Sequence, residues 1–130
     1  MGKSVTKHQH HILIVDNDRA ICWVLDKAFA EEGYRTAIAA NGKEALDMIE
    51  KNSFSLVIMD VMMPVMDGLA ATRAIRQTLR LDVPIIALTA NAIKGDREKC
   101  LEAGMDEYLT KPVEMELLYQ TLAKLTAVRP

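Results

Sequence analysis

Asp60 ends the apolar run Leu56-Val57-Ile58-Met59 and is followed by Val61-Met62-Met63-Pro64 and then Asp67-Gly68. Three other apolar runs also stop at polar residues. Ile12 to Val15 stops at Asp16-Asn17-Asp18, Ile85 to Leu88 at Thr89, and Tyr108-Leu109 at Thr110-Lys111-Pro112. Close carboxylates repel, so a cluster of them needs a cation or raised pKa values. Oxygen ligands of this kind suit Mg²⁺, which binds through one or two carboxylates, waters and phosphate oxygens. An Asp beside such an ion can attack phosphorus and carry an aspartyl phosphate. Phosphoryl transfer then needs positioning and charge neutralisation. Lys111 offers a point charge and Thr89 a hydroxyl donor for that purpose. Singly, each residue has a plain reading: Asp60 as a turn acid, Lys111 as a solvated lysine, Thr89 as a strand-end hydroxyl. Their joint occurrence at the ends of successive apolar runs points to chemistry.

The elements that would position them follow from periodicity. Short apolar runs bounded by Gly, Pro and polar residues read as buried strands. They cover residues 12–15, 56–59, 85–88 and 106–109, with a less apolar run at 35–39 that suits a sheet edge. Helical spacing appears in Ile21, Val24, Leu25, Ala28 and Phe29, ended by Gly33 at a C′ position. It recurs in Ala45, Leu46 and Ile49 after an Asn41-Gly42 turn, over residues 69–78 and 94–103, and in Leu117, Leu118, Leu122 and Leu125. Strand and helix alternate, with no internal repeat and no linker. That pattern predicts a single doubly wound, flavodoxin-like (βα)5 domain with a parallel sheet in the order 2-1-3-4-5. Ligands bind at the carboxyl edge of such sheets, which brings Asp16, Asp60, Thr89 and Lys111 to one crevice.

The totals agree with a single domain. A chain of 130 residues, 50% apolar and 26% charged, suits one globular unit. Its net charge of −2 argues against nucleic acid as a direct partner. No run reaches the ~18 apolar residues of a membrane span, so a cytoplasmic protein with no membrane partner is expected. Cys22 and Cys100 have neither CxxC nor zinc spacing and read as reduced thiols. Residues 1–11, with His8, His10 and His11, read as a disordered leader ahead of a domain over 12–127. Trp23 reads as a ring lying partly buried on its helix, or more sharply as a docking contact. Met48, Met63, Met66, Met105 and Met115 read as core or loop fillers, and Arg73 and Arg76 as a solvated face.

The motifs Ile12-Leu13-Ile14-Val15-Asp16, Met59-Asp60-Val61-Met62-Met63-Pro64-Val65-Met66-Asp67-Gly68, Ile86-Ala87-Leu88-Thr89-Ala90 and Tyr108-Leu109-Thr110-Lys111-Pro112 fall in one order. Together they resemble the receiver domains of two-component response regulators and hybrid histidine kinases, with their chemotaxis-regulator-like fold. Residues 88–112 are most similar to receivers attached to hybrid sensor kinases, and residues 15–25 to receivers of nitrogen-regulation type. The resemblance implies that Asp60 accepts a phosphoryl group from a phosphohistidine on a histidine kinase or histidine phosphotransfer protein. It implies Mg²⁺ held by Asp16, Asp60, the residue at Asn17 and the Met62 backbone carbonyl. It implies that Lys111 pairs with the phosphate, Thr89 moves to bond it and Tyr108 swings inward. The face of the fourth helix, fifth strand and fifth helix would then change for an output partner, including a phosphorylation-linked homodimer. The Lys111-Pro112 bond resembles a position where the cis form is usual.

One position departs from that pattern. The family usually has a second acid directly after Asp16, and here Asn17 stands in its place, followed by Asp18. An amide keeps a carbonyl oxygen but removes a charge, so weaker Mg²⁺ binding is expected unless Asp18 substitutes. Met62 and Asn91 flank the expected phosphate without offering a charged group to orient water, which implies a long-lived aspartyl phosphate. Such a module catalyses only its own phosphorylation and dephosphorylation and is not a turnover enzyme. Two other functions fit fewer residues. Asp16-Asn17-Asp18 resembles the first motif of haloacid-dehalogenase-type phosphatases, with Asp16 as nucleophile, but Arg19-Ala20 replaces the usual Gly-Thr. A pseudo-receiver that only binds needs a broken site, for which Asn17 is the one sign.

Overall fold

The computed structural model describes residues 10–90 and 94–126. Strands β1 (His11–Val15), β2 (Arg35–Ala39), β3 (Leu56–Asp60), β4 (Ile85–Thr89) and β5 (Glu107–Thr110) alternate with helices. The helices are α1 (Arg19–Glu31), α2 (Gly42–Lys51), α3 (Gly68–Arg73), α4 (Asp96–Ala103) and α5 (Met115–Thr126). The sheet is parallel throughout, in the order β2-β1-β3-β4-β5. This is the doubly wound architecture that the alternation predicts.

Two apolar layers hold it together. Leu13, Val57, Met59 and Ala87 face α2, α3 and α4 with Ala45, Ile75 and Cys100. On the other face Ile12, Ile14, Ile58 and Leu88 meet Leu25 and Phe29 of α1 and Leu118 and Leu122 of α5. Every residue of β3 and β4 is buried. That is why these strands read as unbroken apolar runs, whereas β2, at the edge, is largely half-exposed.

Several local expectations shift. His11 belongs to β1, pairing with Arg35 and stacking on Phe54, so the strand starts one residue early. Residues 1–9, most of the expected leader, lie outside the described residues. Asn41-Gly42 is a helix start, with the Asn41 side chain accepting from the Glu44 amide. Helix α4 begins at Asp96, after Gly95 in the left-handed region at φ 88°, and not at Lys94. Helix α3 runs on into a π-helical turn, Ala74–Thr78. Arg76 in that turn is not solvated. It donates to the carbonyls of Gly104 and Leu81 and pairs with Asp106 at 2.9 Å. Asp106 in turn accepts from the Ile85 amide, so one guanidinium ties α3, β4 and the α4–β5 turn together. Of the methionines read as fillers, Met105 is buried, and Met48, Met63, Met66 and Met115 pack partly against the core. No described helix is long and apolar enough to cross a membrane.

Val65 is 79% exposed yet sits at φ 69°. A β-branched residue there crowds its own backbone, at about 1–2 kcal/mol. Glycine relieves that crowding but loses more unfolded-state entropy, about 0.4–1 kcal/mol. Val65→Gly is therefore expected to stabilise the protein by about 0.5–1 kcal/mol, read as a higher melting temperature; an unchanged or lower one contradicts it.

Candidate functional site

The carboxyl ends of β1, β3, β4 and β5 meet at one edge of the sheet. Asp16 follows β1, Asp60 and Thr89 end β3 and β4, and Lys111 follows β5. The ladder explains the convergence, because the strands run parallel and in register, with Val15 opposite Met59, Asp60 opposite Leu88 and Thr89 opposite Thr110. The Lys111 amide donates to the Thr89 carbonyl at 2.8 Å, carrying the β4–β5 pairing one step further. The Lys111-Pro112 bond is cis, as the resemblance implies.

Asp16, Asp60 and Thr89 are each at most 4% exposed, so this is a recess and not a solvated rim. The Lys111 ammonium lies 2.9 Å from Asp16 Oδ2 and 3.5 Å from Asp60 Oδ1. It thus bridges the two carboxylates. Asp16 Oδ1 also accepts from the Asp18 amide, and Asp60 Oδ1 from the Met62 amide. Burial pushes the Asp60 carboxyl up, and the Asp16 charge pushes it further. Lys111 and the Met62 amide pull it back, leaving it at about 6. Burial alone would lower the Lys111 amine, but its bond to Asp16 and the charges of Asp16 and Asp60 outweigh that and hold it above its ordinary value. The lysine therefore stays charged, while two acids compete for it.

That imbalance is what a hard cation relieves. Two buried carboxylates against one ammonium leave excess negative charge, and Mg²⁺ takes one or two carboxylates with water filling the rest. The Asp16 and Asp60 carboxylates, both beside Lys111, are a donor pair that suits an ion keeping most of its water. Asn17 is exposed at the β1–α1 turn. Asp18 is committed elsewhere, since its carboxylate accepts from the Ala20 and Ile21 amides and caps α1. Recruiting it to the ion would uncap the helix, at about 1 kcal/mol. Asn17→Asp is accordingly expected to tighten Mg²⁺ binding about tenfold, one added charge at close range, measured by titrating intrinsic fluorescence; equal affinities contradict it.

The remaining predicted residues are placed less centrally. The Met62 side chain is 66% exposed, with only its backbone turned to Asp60. Tyr108 is half-buried and donates to Asp96 Oδ2 at 3.0 Å. Asn91 lies outside the described residues. Cys22 and Cys100 are free and buried, and the Cys22 thiol donates to the Asp16 carbonyl at 3.2 Å. Burial, then the Asp16 charge, pushes that thiol to about 11, so it stays protonated. Residue order did not mark Asp96 or Cys22 as neighbours of the site. A cavity of about 690 Å³ lies at the opposite edge of the sheet, lined by Asn52, Phe54 and Pro84, and includes none of these residues.

A parallel five-stranded sheet with an Asp, Asp, Thr, Lys set at its carboxyl edge defines a class, and known proteins share both its fold and its sequence. The sequence model of the response regulator receiver domain matches residues 12–123, and the chain belongs to that family. It is 42% identical over 112 residues to sensor histidine kinase RcsC of Salmonella typhimurium, covering 86% of this chain and 12% of that protein. It is 43% identical over 117 residues to response regulator MprA of a Mycobacterium species, covering 90% of this chain and 49% of that protein. The chain thus spans about an eighth of one relative and about half of the other. Among solved structures, the receiver domain of sensor histidine kinase PA1611 from Pseudomonas aeruginosa superposes with a TM-score of 0.83 at 40% identity, covering 92% of this chain and 98% of that one. That structure has a magnesium ion coordinated in its active site cleft. The Saccharomyces cerevisiae receiver Ssk1, solved with the histidine phosphotransfer protein Ypd1, superposes with a TM-score of 0.85 at 27% identity, covering 90% of this chain and 88% of that one.

Proposed function

We propose that this receiver takes a phosphoryl group onto Asp60 from a phosphohistidine of a histidine kinase or histidine phosphotransfer protein. The observation that carries the reading is Lys111 bridging Asp16 and Asp60. An Asp60 oxygen attacks phosphorus, the P–N bond breaks, and the imidazole leaves with the electron pair and regains a proton from water. Lys111 is then free to turn from Asp60 to the incoming phosphoryl oxygens while keeping Asp16. The Met62 amide already donates to Asp60 Oδ1 and orients the carboxylate, leaving its second oxygen to react. The Thr89 hydroxyl stands at the end of β4 to donate to a phosphoryl oxygen. Mg²⁺, which Asp16, Asp60, the Asn17 amide and the Met62 carbonyl would hold, would supply positive charge that neutralises those oxygens.

An apolar groove beside the site supports a helical donor. A groove of about 360 Å³ runs beside the site, lined by Ile21, Val24, Lys111, Pro112, Val113 and Met115. Val24 is 50% and Trp23 62% exposed on the same helix. The ring is more exposed than the partly buried reading had it, and the Lys27 ammonium of the same helix lies over it at 5.0 Å. An apolar helix face carrying a histidine would suit the apolar lining of this groove. Bonding of Thr89 to the phosphoryl group, with Tyr108 following, would shift the α4, β5 and α5 face between two arrangements read by an output partner or a second copy.

Mapping the modified aspartate by mass spectrometry after treatment with acetyl phosphate and Mg²⁺ tests this. The label is expected on Asp60. A label on Asp16 would select the phosphatase mechanism, and no label at all the non-phosphorylated binding module.

A further inference from the structure

Asn17 sits between two pinned peptide groups. The carbonyl before it, that of Asp16, accepts from the Cys22 thiol at 3.2 Å. The amide after it, that of Asp18, donates to Asp16 Oδ1 at 2.9 Å. A peptide group is planar, and the soft backbone angles of a residue lie between its two peptide groups. Holding both planes therefore fixes φ and ψ of Asn17 and the direction in which its side chain leaves the chain. The holding groups are themselves held. The Asp16 amide donates to the Ala39 carbonyl at 3.1 Å, and the Cys22 amide donates to the Asp18 carbonyl at 3.1 Å in the first turn of α1. Cys22 is 4% and Asp16 2% exposed, so water has little access to replace the thiol as donor. Cys22 also belongs to the apolar layer of Ile12, Ile14 and Leu25, where its plain reading is a small core filler.

We infer that Cys22 is a positioning residue for Asn17: its thiol holds the Asp16 carbonyl, and with it the peptide group that aims the Asn17 amide side chain at the Mg²⁺ site. The inference rests on the phosphoacceptor reading, in which Asn17 is one of the residues that would hold the ion. Without the thiol, the peptide before Asn17 is free to turn, and the amide oxygen spends less of its time where an ion would meet it. Loss of one such hydrogen bond is worth about a threefold change in affinity. A donor and a filler rank substitutions differently. Cys22→Ser keeps a donor but puts a hydroxyl among apolar neighbours. Cys22→Val fills the space and donates nothing, and Cys22→Ala does neither.

The test is Mg²⁺ affinity by titration calorimetry in the parent chain, the three Cys22 variants, Asn17→Ala and the double variant Cys22→Ala/Asn17→Ala, with melting temperatures measured alongside. Calorimetry avoids a fluorescence signal from Trp23, which adjoins the substituted residue. Cys22→Val and Cys22→Ala are each expected to bind Mg²⁺ about threefold more weakly, and Cys22→Ser near the parent affinity even where its melting temperature falls. The double variant is expected to bind no more weakly than Asn17→Ala alone, because Cys22 acts through Asn17. If Cys22 is only a filler, affinity follows melting temperature or does not change, Cys22→Ser is no better than Cys22→Ala, and the effects of Cys22→Ala and Asn17→Ala add. Any of these results overturns the inference and, where the parent binds Mg²⁺ and takes label on Asp60, leaves the phosphoacceptor reading standing. A parent that binds no Mg²⁺ removes both the inference and the metal site it rests on.

Discussion

Asp60→Asn is expected to abolish labelling by acetyl phosphate and, in EDTA at pH 7, to make the protein more stable than the parent. The first effect follows from the proposed role of Asp60, whose carboxylate lies beside both Asp16 and Lys111. The second follows from the charge count. Asp60 shares one ammonium with Asp16 in a recess where each acid is at most 4% exposed. Its folded-state pKa of about 6 stands above the 3.8 it has in the unfolded chain. Below pH 4 both states hold the proton and the two proteins differ little. As pH rises from 4 to 6 the unfolded chain ionises first, so the parent loses stability over that window and then stays level. That shift corresponds to roughly 2 kcal/mol once screening at a cleft is allowed for, or about 5 °C in melting temperature. The amide variant never ionises and escapes the loss, while Lys111 keeps Asp16 at 2.9 Å. The gap between the two melting curves should thus open between pH 4 and 6.5, and should narrow on adding Mg²⁺, which favours the ionised parent. A gap that is independent of pH and of Mg²⁺ contradicts this account.

Gly68→Ala is expected to cost about 3 kcal/mol, a fall of roughly 10 °C in melting temperature, and to depress labelling with it. Gly68 opens α3, and a methyl group added there would lie 2.3 Å from the Asp60 carbonyl oxygen and 2.9 Å from Met59 Cγ. Backbone cannot yield as a flexible side chain can. Either α3 or the end of β3 must move, and the end of β3 carries the Asp60 carboxylate that Lys111 holds. Gly95→Ala is the control, because its Cβ would meet nothing within 4 Å although φ is 88°. It should lose only the left-handed preference, about 1 kcal/mol. Equal losses at the two glycines would show that close approach to β3 is not what position 68 requires.

Much of this site was legible before any coordinates. Asp16, Asp60 and Thr89 each end or follow a buried apolar run and Lys111 follows a half-buried one, and a parallel sheet has only one edge where such ends can go. Strand existence, sheet order and the convergence of those four residues therefore follow from periodicity and a topology rule, and the structure agrees on all three. The commitment of Asp18 to the cap of α1 also has a local signature, an acid directly before a helical pattern.

Other features were decided only in three dimensions. Arg76 reads as one more exposed arginine on a helix, yet its partners are the Gly104 carbonyl and the Asp106 carboxylate, far along the chain. Tyr108 reads as a strand residue, and nothing in the order of residues says that Asp96 will accept its hydroxyl. Trp23 stands two residues past Ile21 and so falls off the apolar stripe by spacing, but how much of the ring its neighbours cover was decided by packing, which leaves it 62% exposed. Periodicity is a property of neighbours along the chain and fixes which face of an element is apolar. Which polar group meets which across two elements depends on how those faces are turned and spaced after packing, and that is a property of the assembled core alone.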